Sequence, residues 1–224
     1  MIKRLDWDSN FFGFEIGELI YENKLDFDNS YDLLYLKNDQ DFDVNVKDFT
    51  KKFSETKLIF SKDINDVNPQ SSVFSINEIQ YDINEIYELA YESGKFSRFF
   101  LDGNFEKDKF KELYQKWVDN SISNIFADDL LVYLENNQIQ GFVTYKVNNK
   151  TATIGLIAVH PNHQGKGVGG KLLRVVENKL FENKINKLLI PTQQKNVMAC
   201  DFYKKYGYQV YETTFIKHYW RIKN

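Results

Sequence analysis

A short apolar run that breaks into glycines and then into a helical pattern constrains this chain more than any other stretch. Ile154-Gly155-Leu156-Ile157-Ala158-Val159 reads as a strand. After His160-Pro161 come Gln164-Gly165-Lys166-Gly167-Val168-Gly169-Gly170. From Gly167 to Asn183, Leu172, Leu173, Val176 and Leu180 recur at helical spacing. Only 11 of the 224 residues are glycine, so their crowding here has a local cause. A strand, a glycine-rich turn and a helix start make an anion site. The first N–H groups of a helix have no intrahelical partner, and the helix dipole adds positive charge. Glycine leaves room for phosphate oxygens at the backbone and tolerates positive φ. A tight loop that needs glycine for turn geometry alone is the competing account.

Two familiar phosphate loops fit poorly. A Walker loop needs Ser or Thr after Gly-Lys, but Gly170-Lys171 precedes Leu172. A dinucleotide fingerprint is met in part by Gly165, Gly167 and Gly170. The strand, however, follows two meander strands, and Glu182 falls inside the helix rather than at a strand end.

The surrounding pattern predicts a mixed α/β fold, a twisted sheet flanked by helices. Helices are expected over 83–94, 106–122, 167–183 and 196–206, the last closed by Gly207. Residues 129–161 read as three strands joined by turns at 135–138 and 148–150. Further strands are expected at 15–21, 33–37, 58–61 and 187–191, and one or two over 208–220. Residues 44–53 read as a short helix. The polar stretch 61–75, with Pro69, marks a boundary between a smaller N-terminal domain, 1–75, and a second domain, 76–224.

Composition excludes several classes. A formal net charge of -3 leaves no basic surplus for nucleic acid. The single Cys200 permits neither an intramolecular disulfide nor a Cys-rich metal site, and reads as a buried structural thiol. His160 and His163 are three apart, a spacing that suggests a metal, but a flexible loop and a single further His argue against one, and no metal is expected. No segment holds the ~18 apolar residues of a membrane helix, and the first residues lack a signal-peptide core. The expectation is a cytoplasmic protein without membrane insertion.

The glycine segment resembles motif A of the GNAT superfamily of N-acetyltransferases. The match runs from Val159-His160-Pro161 through Gln164-Gly165-Lys166-Gly167-Val168-Gly169. Asn196, Ala199, Tyr203 and the closing Gly207-Tyr208 agree with the second half of that family's pattern. Upstream, residues 7–17, Ser97-Arg98-Phe99-Phe100 and 114–122 resemble bacterial dTDP-fucosamine acetyltransferases.

The resemblance implies an acetyl-CoA-dependent N-acetyltransferase. Its loop from Gln164 to Gly170, with Lys166 and Val168, would hold the CoA pyrophosphate. The backbone of Leu156, Ile157 and Val159 would pair with the pantetheine arm in a gap beside strand 187–191, and Asn196 would bind the same region. Ile157 N–H would serve the oxyanion and Tyr203 would protonate the departing thiolate. The acceptor implied is a nucleotide sugar, dTDP-4-amino-4,6-dideoxygalactose, touched by Asn10, Phe11, Phe12, Arg98 and Trp117. Each of these five could equally pack the interior, and Tyr203 could be ordinary core. A protein N-terminus or a small-molecule amine is the alternative acceptor. A non-catalytic CoA-binding module is the alternative class. A homodimer through the aromatic C-terminal strand is a further expectation.

Overall fold

In the computed structural model, which describes residues 2–19, 30–65 and 72–222, the apolar alternation becomes one mixed ten-stranded sheet. The strands are β1 (Ile2–Arg4), β2 (Ile16–Leu19), β3 (Leu33–Asn38), β4 (Phe49–Asp63) and β5 (Val73–Ser75), then β6 (Asp129–Glu135), β7 (Gln138–Asn148), β8 (Thr151–Val159), β9 (Lys187–Gln193) and β10 (Gln209–Arg221). The helices are α1 (Asp6–Phe12), α2 (Ile83–Ser93), α3 (Arg98–Leu101), α4 (Lys107–Ile122), α5 (Val168–Glu182) and α6 (Val197–Lys205). Across the sheet the order is β1-β2-β3-β10-β4-β9-β8-β7-β6-β5.

Local signals explain much of this. Asn136 and Asn137 both take positive φ, 53° and 60°, in the two-residue turn between β6 and β7, a turn whose twist matches that of the strands. Asp82 caps α2 by accepting the N–H of Asn84. Gly13, at φ 78°, ends α1.

One expectation needs correction. Residues 44–53 are not helical: β4 begins at Phe49 and continues to Asp63, paired on one edge with β10 and on the other with β9. Pairing of Phe49–Phe53 with β10 outweighs a local helical spacing there, and β9 joins only from Lys57 onward. The stretch 208–220, expected as one or two strands, forms one, β10. The division expected at residue 75 falls after β5. β4, from before it, lies between β9 and β10, from after it. Residues 66–71 of the boundary stretch, and the end of the strand expected at 15–21, lie outside the described residues.

Side chains alternate across the sheet into two large cores, with a smaller third one around Leu34, Leu36, Phe49 and Tyr219. On one face Phe12, Ile86, Leu89, Phe99, Phe110 and Leu113 of α1–α4 meet Val132, Phe142, Leu156 and Ala158. On the other, Val168, Leu172, Val176 and Leu180 of α5 and Tyr203 of α6 meet Phe60, Val143, Ile154 and Ile190. Each buried Leu, Ile or Phe contributes roughly 1.5–3 kcal/mol. No helix among the described residues is long and apolar enough to cross a membrane.

Candidate active site

β8 and β9 are parallel neighbours only where Thr151, Ala152 and Thr153 meet Lys187, Leu188 and Leu189. Beyond that they diverge. The cause lies in β8. Val143 pairs with Ile157 and Tyr145 with Ile154, which leaves Gly155 and Leu156 opposite Thr144 alone. Such a bulge bends its strand. Thr144 Oγ1 closes it by accepting the N–H of Leu156 at 2.9 Å. Gly155 is required there, because a Cβ would stand 2.8 Å from that oxygen.

Strand alternation then decides which backbone groups face the gap. His160 N–H donates to Gln140 O on β7, at 2.8 Å. Ala158 therefore also turns to β7, while Ile157 and Val159 turn toward β9. On β9, Gln194 N–H donates to Thr56 O at 2.8 Å, so Pro191 faces the gap. A proline there leaves no donor unpaired. Leu156 departs from the expectation, since its N–H bonds to Thr144 inside the sheet.

The loop from Gln164 to Gly170 stands at the mouth of this gap. Gly165 and Gly167 have φ of 74° and 83°, and a Cβ at either would meet nothing within 4 Å. Backbone handedness, not space, demands glycine at both. Gly169 and Gly170 differ. A Cβ would lie 3.1 Å from Phe202 Cζ at the first and 1.8 Å from Tyr206 Oη at the second. These two let α5 and α6 approach. Gly167 caps α5, whose first bond is Lys171 N–H to Gly167 O, so the N–H groups of Val168, Gly169 and Gly170 head the helix. Gln164 Nε2 donates to Val159 O at 3.2 Å and ties the loop to the strand end. Lys166 is exposed. His163 Nε2 lies 3.0 Å from Glu135 Oε2, which links the loop to the β6–β7 turn. No group of three His, Cys, Asp or Glu that could hold a metal gathers among the described residues.

α6 stands beside the loop. Asn196 Oδ1 accepts the N–H of Ala199 at 3.2 Å and caps the helix. Tyr203 is buried, with Phe202 at 5.4 Å and Phe60 at 5.5 Å between ring centres. Burial pushes its phenol well above the usual value. Burial likewise raises the Cys200 thiol, which makes it a poor nucleophile.

The opposite face of the sheet carries the other candidates. Phe99 gathers three of the five. Phe12 stacks on it at 5.5 Å, Trp117 meets it edge-on at 6.2 Å, and the Arg98 guanidinium lies 4.7 Å from its centre. Phe11 touches Phe12 and stacks on Trp7 at 5.0 Å. Phe12 is buried among Phe14, Phe99 and Phe105, Trp117 is half-buried, and Asn10 is exposed.

Residues of β4 were missed by sequence reasoning. Register places Tyr35, His218 and Phe53 in one row, then Lys37, Ile216 and Glu55, then Thr214, Lys57 and Gln193, then Glu212, Ile59 and Pro191. These rows lead from Arg98 to the gap. Glu55 Oε1 lies 3.8 Å from Arg98 Nη1, and its side chain is 4% exposed. Burial raises its carboxyl above the usual range, against the lowering pull of Arg98, Lys57 and Lys195. Only Leu58-Ile59-Phe60 signalled a strand in the sequence, and the helical reading of 44–53 concealed its first half.

Comparison with known proteins gives a family and a fold. The model of the acetyltransferase (GNAT) family matches residues 82–208. The chain is similar to the spore coat polysaccharide biosynthesis protein SpsD of Bacillus subtilis, 27% identical over 62% of this chain and 48% of that protein. The match therefore spans about half of that relative's length. It is also similar to streptothricin acetyltransferase A of B. subtilis, 34% identical over 53% of this chain and 68% of that one. The structure of PaiA N-acetyltransferase from Thermoplasma acidophilum, in complex with coenzyme A, superposes with a TM-score of 0.50 at 21% identity. It covers 66% of this chain and 98% of that one.

Proposed function

Because the chain belongs to the acetyltransferase (GNAT) family, we propose that it moves an acetyl group from acetyl-CoA to the amino group of a nucleotide-linked amino sugar. The specific acceptor we propose is dTDP-4-amino-4,6-dideoxygalactose, acetylated in the cytoplasm. The carrying observation is the gap between β8 and β9, lined by the strand edge at Ile157 and Val159, where Gln164 holds the Val159 carbonyl, and headed by the Gly167-capped helix.

The residues present fit acetyl-CoA. The N–H groups of Val168, Gly169 and Gly170 form a cradle for a pyrophosphate, with Gln164, Gly165 and Lys166 at its rim. Val159 and Ile157 offer strand-like pairing to the pantetheine amides. Acetyl-CoA supplies an activated acyl thioester. Ile157 N–H then donates to the acyl oxygen as charge builds on it. Tyr203 lies on the α6 side of the sheet and the row ending in Pro191 on the other. The amine thus approaches from the Arg98 side, and the thiolate departs toward a phenol held protonated by burial. In this reading Asn196 holds the helix that carries Tyr203.

The sugar acceptor is supported by the charged and aromatic face around Arg98, Phe11 and Trp117, with residues 1–75 on the sugar side. The SpsD likeness points the same way. The likeness to streptothricin acetyltransferase A favours a second reading, a small-molecule amine acceptor. Turnover of acetyl-CoA against dTDP- and UDP-amino sugars, peptides and polyamines separates them. Acetylation of a polyamine or peptide with every sugar nucleotide inert would remove the sugar reading. The homodimer expected through the aromatic C-terminal strand has no free edge at residues 215–220, which pair with β3 on one side and β4 on the other, so light scattering tests only a dimer through another surface.

A further inference from the structure

Several buried polar atoms under α3 make no hydrogen bond within the described residues. They include Tyr35 Oη, Glu55 Oε2, Arg98 Nε and His218 Nε2. Unpaired buried polar atoms are costly, and several together mark a place where structure serves a ligand. From there the rows of β4 run toward the gap, and the next side chain along the same face is Lys57.

Lys57 is half-buried and has no ion-pair or hydrogen-bond partner among the described residues. The acids near it are engaged or turned away. Glu55 faces Arg98, Glu18 pairs with Lys37, and Glu212 is exposed beside Thr214. Asp8 of α1 feels Arg98 and Lys37 first among its charged neighbours. Burial and then Arg98 act against the charge on Lys57. Glu212 and Glu55 favour the charge on Lys57, but Glu55 already faces Arg98 and one buried carboxyl serves two cations, so a further anion would stabilise the half-buried ammonium. Lys195, exposed just beyond β9, adds a third cation near Glu55. The buried Glu55 carboxylate offsets the repulsion among the three.

We propose that Lys57, with Arg98 and Lys195, binds an anionic group on the carrier of the acceptor amine. The inference rests on the acetyltransferase reading and narrows its acceptor. The amine reaches the gap beside Pro191, while Lys57 and Arg98 lie one to two rows away. At about 3.3 Å per residue, the anion stands roughly 7–13 Å from the nitrogen. A polycationic amine meets like charge there and is disfavoured. A phosphate or phosphodiester is the fitting group, because Arg and Lys together match its oxygens.

The test uses two acceptors of equal length, 6-aminohexyl phosphate and 1,6-diaminohexane, with saturating acetyl-CoA and CoA release as the signal. The expected result is a kcat/KM for the phosphate at least about tenfold higher. Lys57→Glu should abolish or reverse that preference, and Lys57→Met and Lys195→Glu should weaken it. CoA affinity should be unchanged in each. Equal turnover of both amines, or a preference unchanged in Lys57→Glu, overturns the proposal. If neither amine reacts, inorganic pyrophosphate is titrated onto protein with CoA in excess, so that the glycine loop is filled. A pyrophosphate site lost in Lys57→Glu supports the inference, and no such site overturns it. Failure of CoA itself to bind would instead remove the acetyltransferase reading. The same pyrophosphate titration of wild type against Lys57→Glu would still decide the anion site.

Discussion

Gly170 of α5 lies so close to Tyr206 at the end of α6 that a Cβ would fall 1.8 Å from the tyrosine oxygen and 2.4 Å from Cζ. The glycine cluster therefore does two jobs. Gly165 and Gly167 shape the loop, and Gly169 and Gly170 let the loop's helix rest on the helix that carries Tyr203. Gly170→Ala should force the Tyr206 ring aside and destabilise the protein by on the order of 1–3 kcal/mol, read by urea unfolding. Gly167→Val should act differently. It sits at φ 83° with open space around it, so the cost is backbone strain of about 1–3 kcal/mol. Its main effect should be weaker CoA binding in a protein that still folds. Unchanged CoA affinity in a folded Gly167→Val variant would remove the loop from the binding site.

Tyr203→Phe separates an enzyme from a binding module. The ring packs against Phe60 and Phe202, and Phe preserves that packing. Turnover should fall about 10²-fold or more if the phenol protonates the thiolate, while CoA binding and stability persist. A variant with full turnover would leave Tyr203 as core alone.

His218 makes stability depend on pH. It is fully buried, with Nδ1 2.6 Å from Asp102 Oδ2, and Trp220 Nε1 donates to the same oxygen at 2.9 Å. Burial lowers its pKa from 6.5 to about 4, and Arg98 and Lys37 push the same way against Asp102. The unfolded chain thus binds this proton near pH 6.5 and the folded one near pH 4. The contribution is present above about pH 6.5 and is lost as pH falls toward 4, by roughly 3 kcal/mol. Asp8 and Glu55, raised by burial, act in the opposite sense. The check is therefore a difference: urea midpoints from pH 7.5 to 4.5 for wild type and His218→Asn. The variant should lose the histidine part of the slope, and parallel curves would refute it.

What was legible in the sequence was local. The order Val159-His160-Pro161, glycines, then Leu172, Leu173 and Val176 announces strand, loop and helix without reference to the rest of the chain. The functions of Gly169 and Gly170 were not legible, because Phe202 and Tyr206 arrive on another helix. β4 was hidden for a sharper reason. Val46, Phe49 and Phe53 are spaced three and four apart, like a helical stripe. The actual strand partners of the two phenylalanines lie on β10, at the far end of the chain, where Phe49 meets Arg221 and Phe53 meets His218. Glu55 looked like a surface charge in a polar run. Its burial depends on Arg98, more than a helix away in sequence.

Thr144 links the sheet to the chemistry. Its hydroxyl accepts the Leu156 N–H at 2.9 Å in a buried setting and holds the bulge that turns Ile157 toward the gap. Thr144→Val is close in shape but cannot accept that bond, so a buried N–H is left without a partner. The cost should be about 1–3 kcal/mol of stability. Thr144→Ser keeps the acceptor and should recover most of it. If the bulge also aims Ile157 N–H at the acyl oxygen, the valine variant should lose kcat as well, with serine restoring it, because a donor displaced by even ~1 Å stabilises the developing charge poorly. The measurement is unfolding free energy beside steady-state acetyl-CoA turnover for both variants. A valine variant that is destabilised yet turns over at the wild-type rate would confine Thr144 to the fold and leave the placement of Ile157 to the register between β7 and β8.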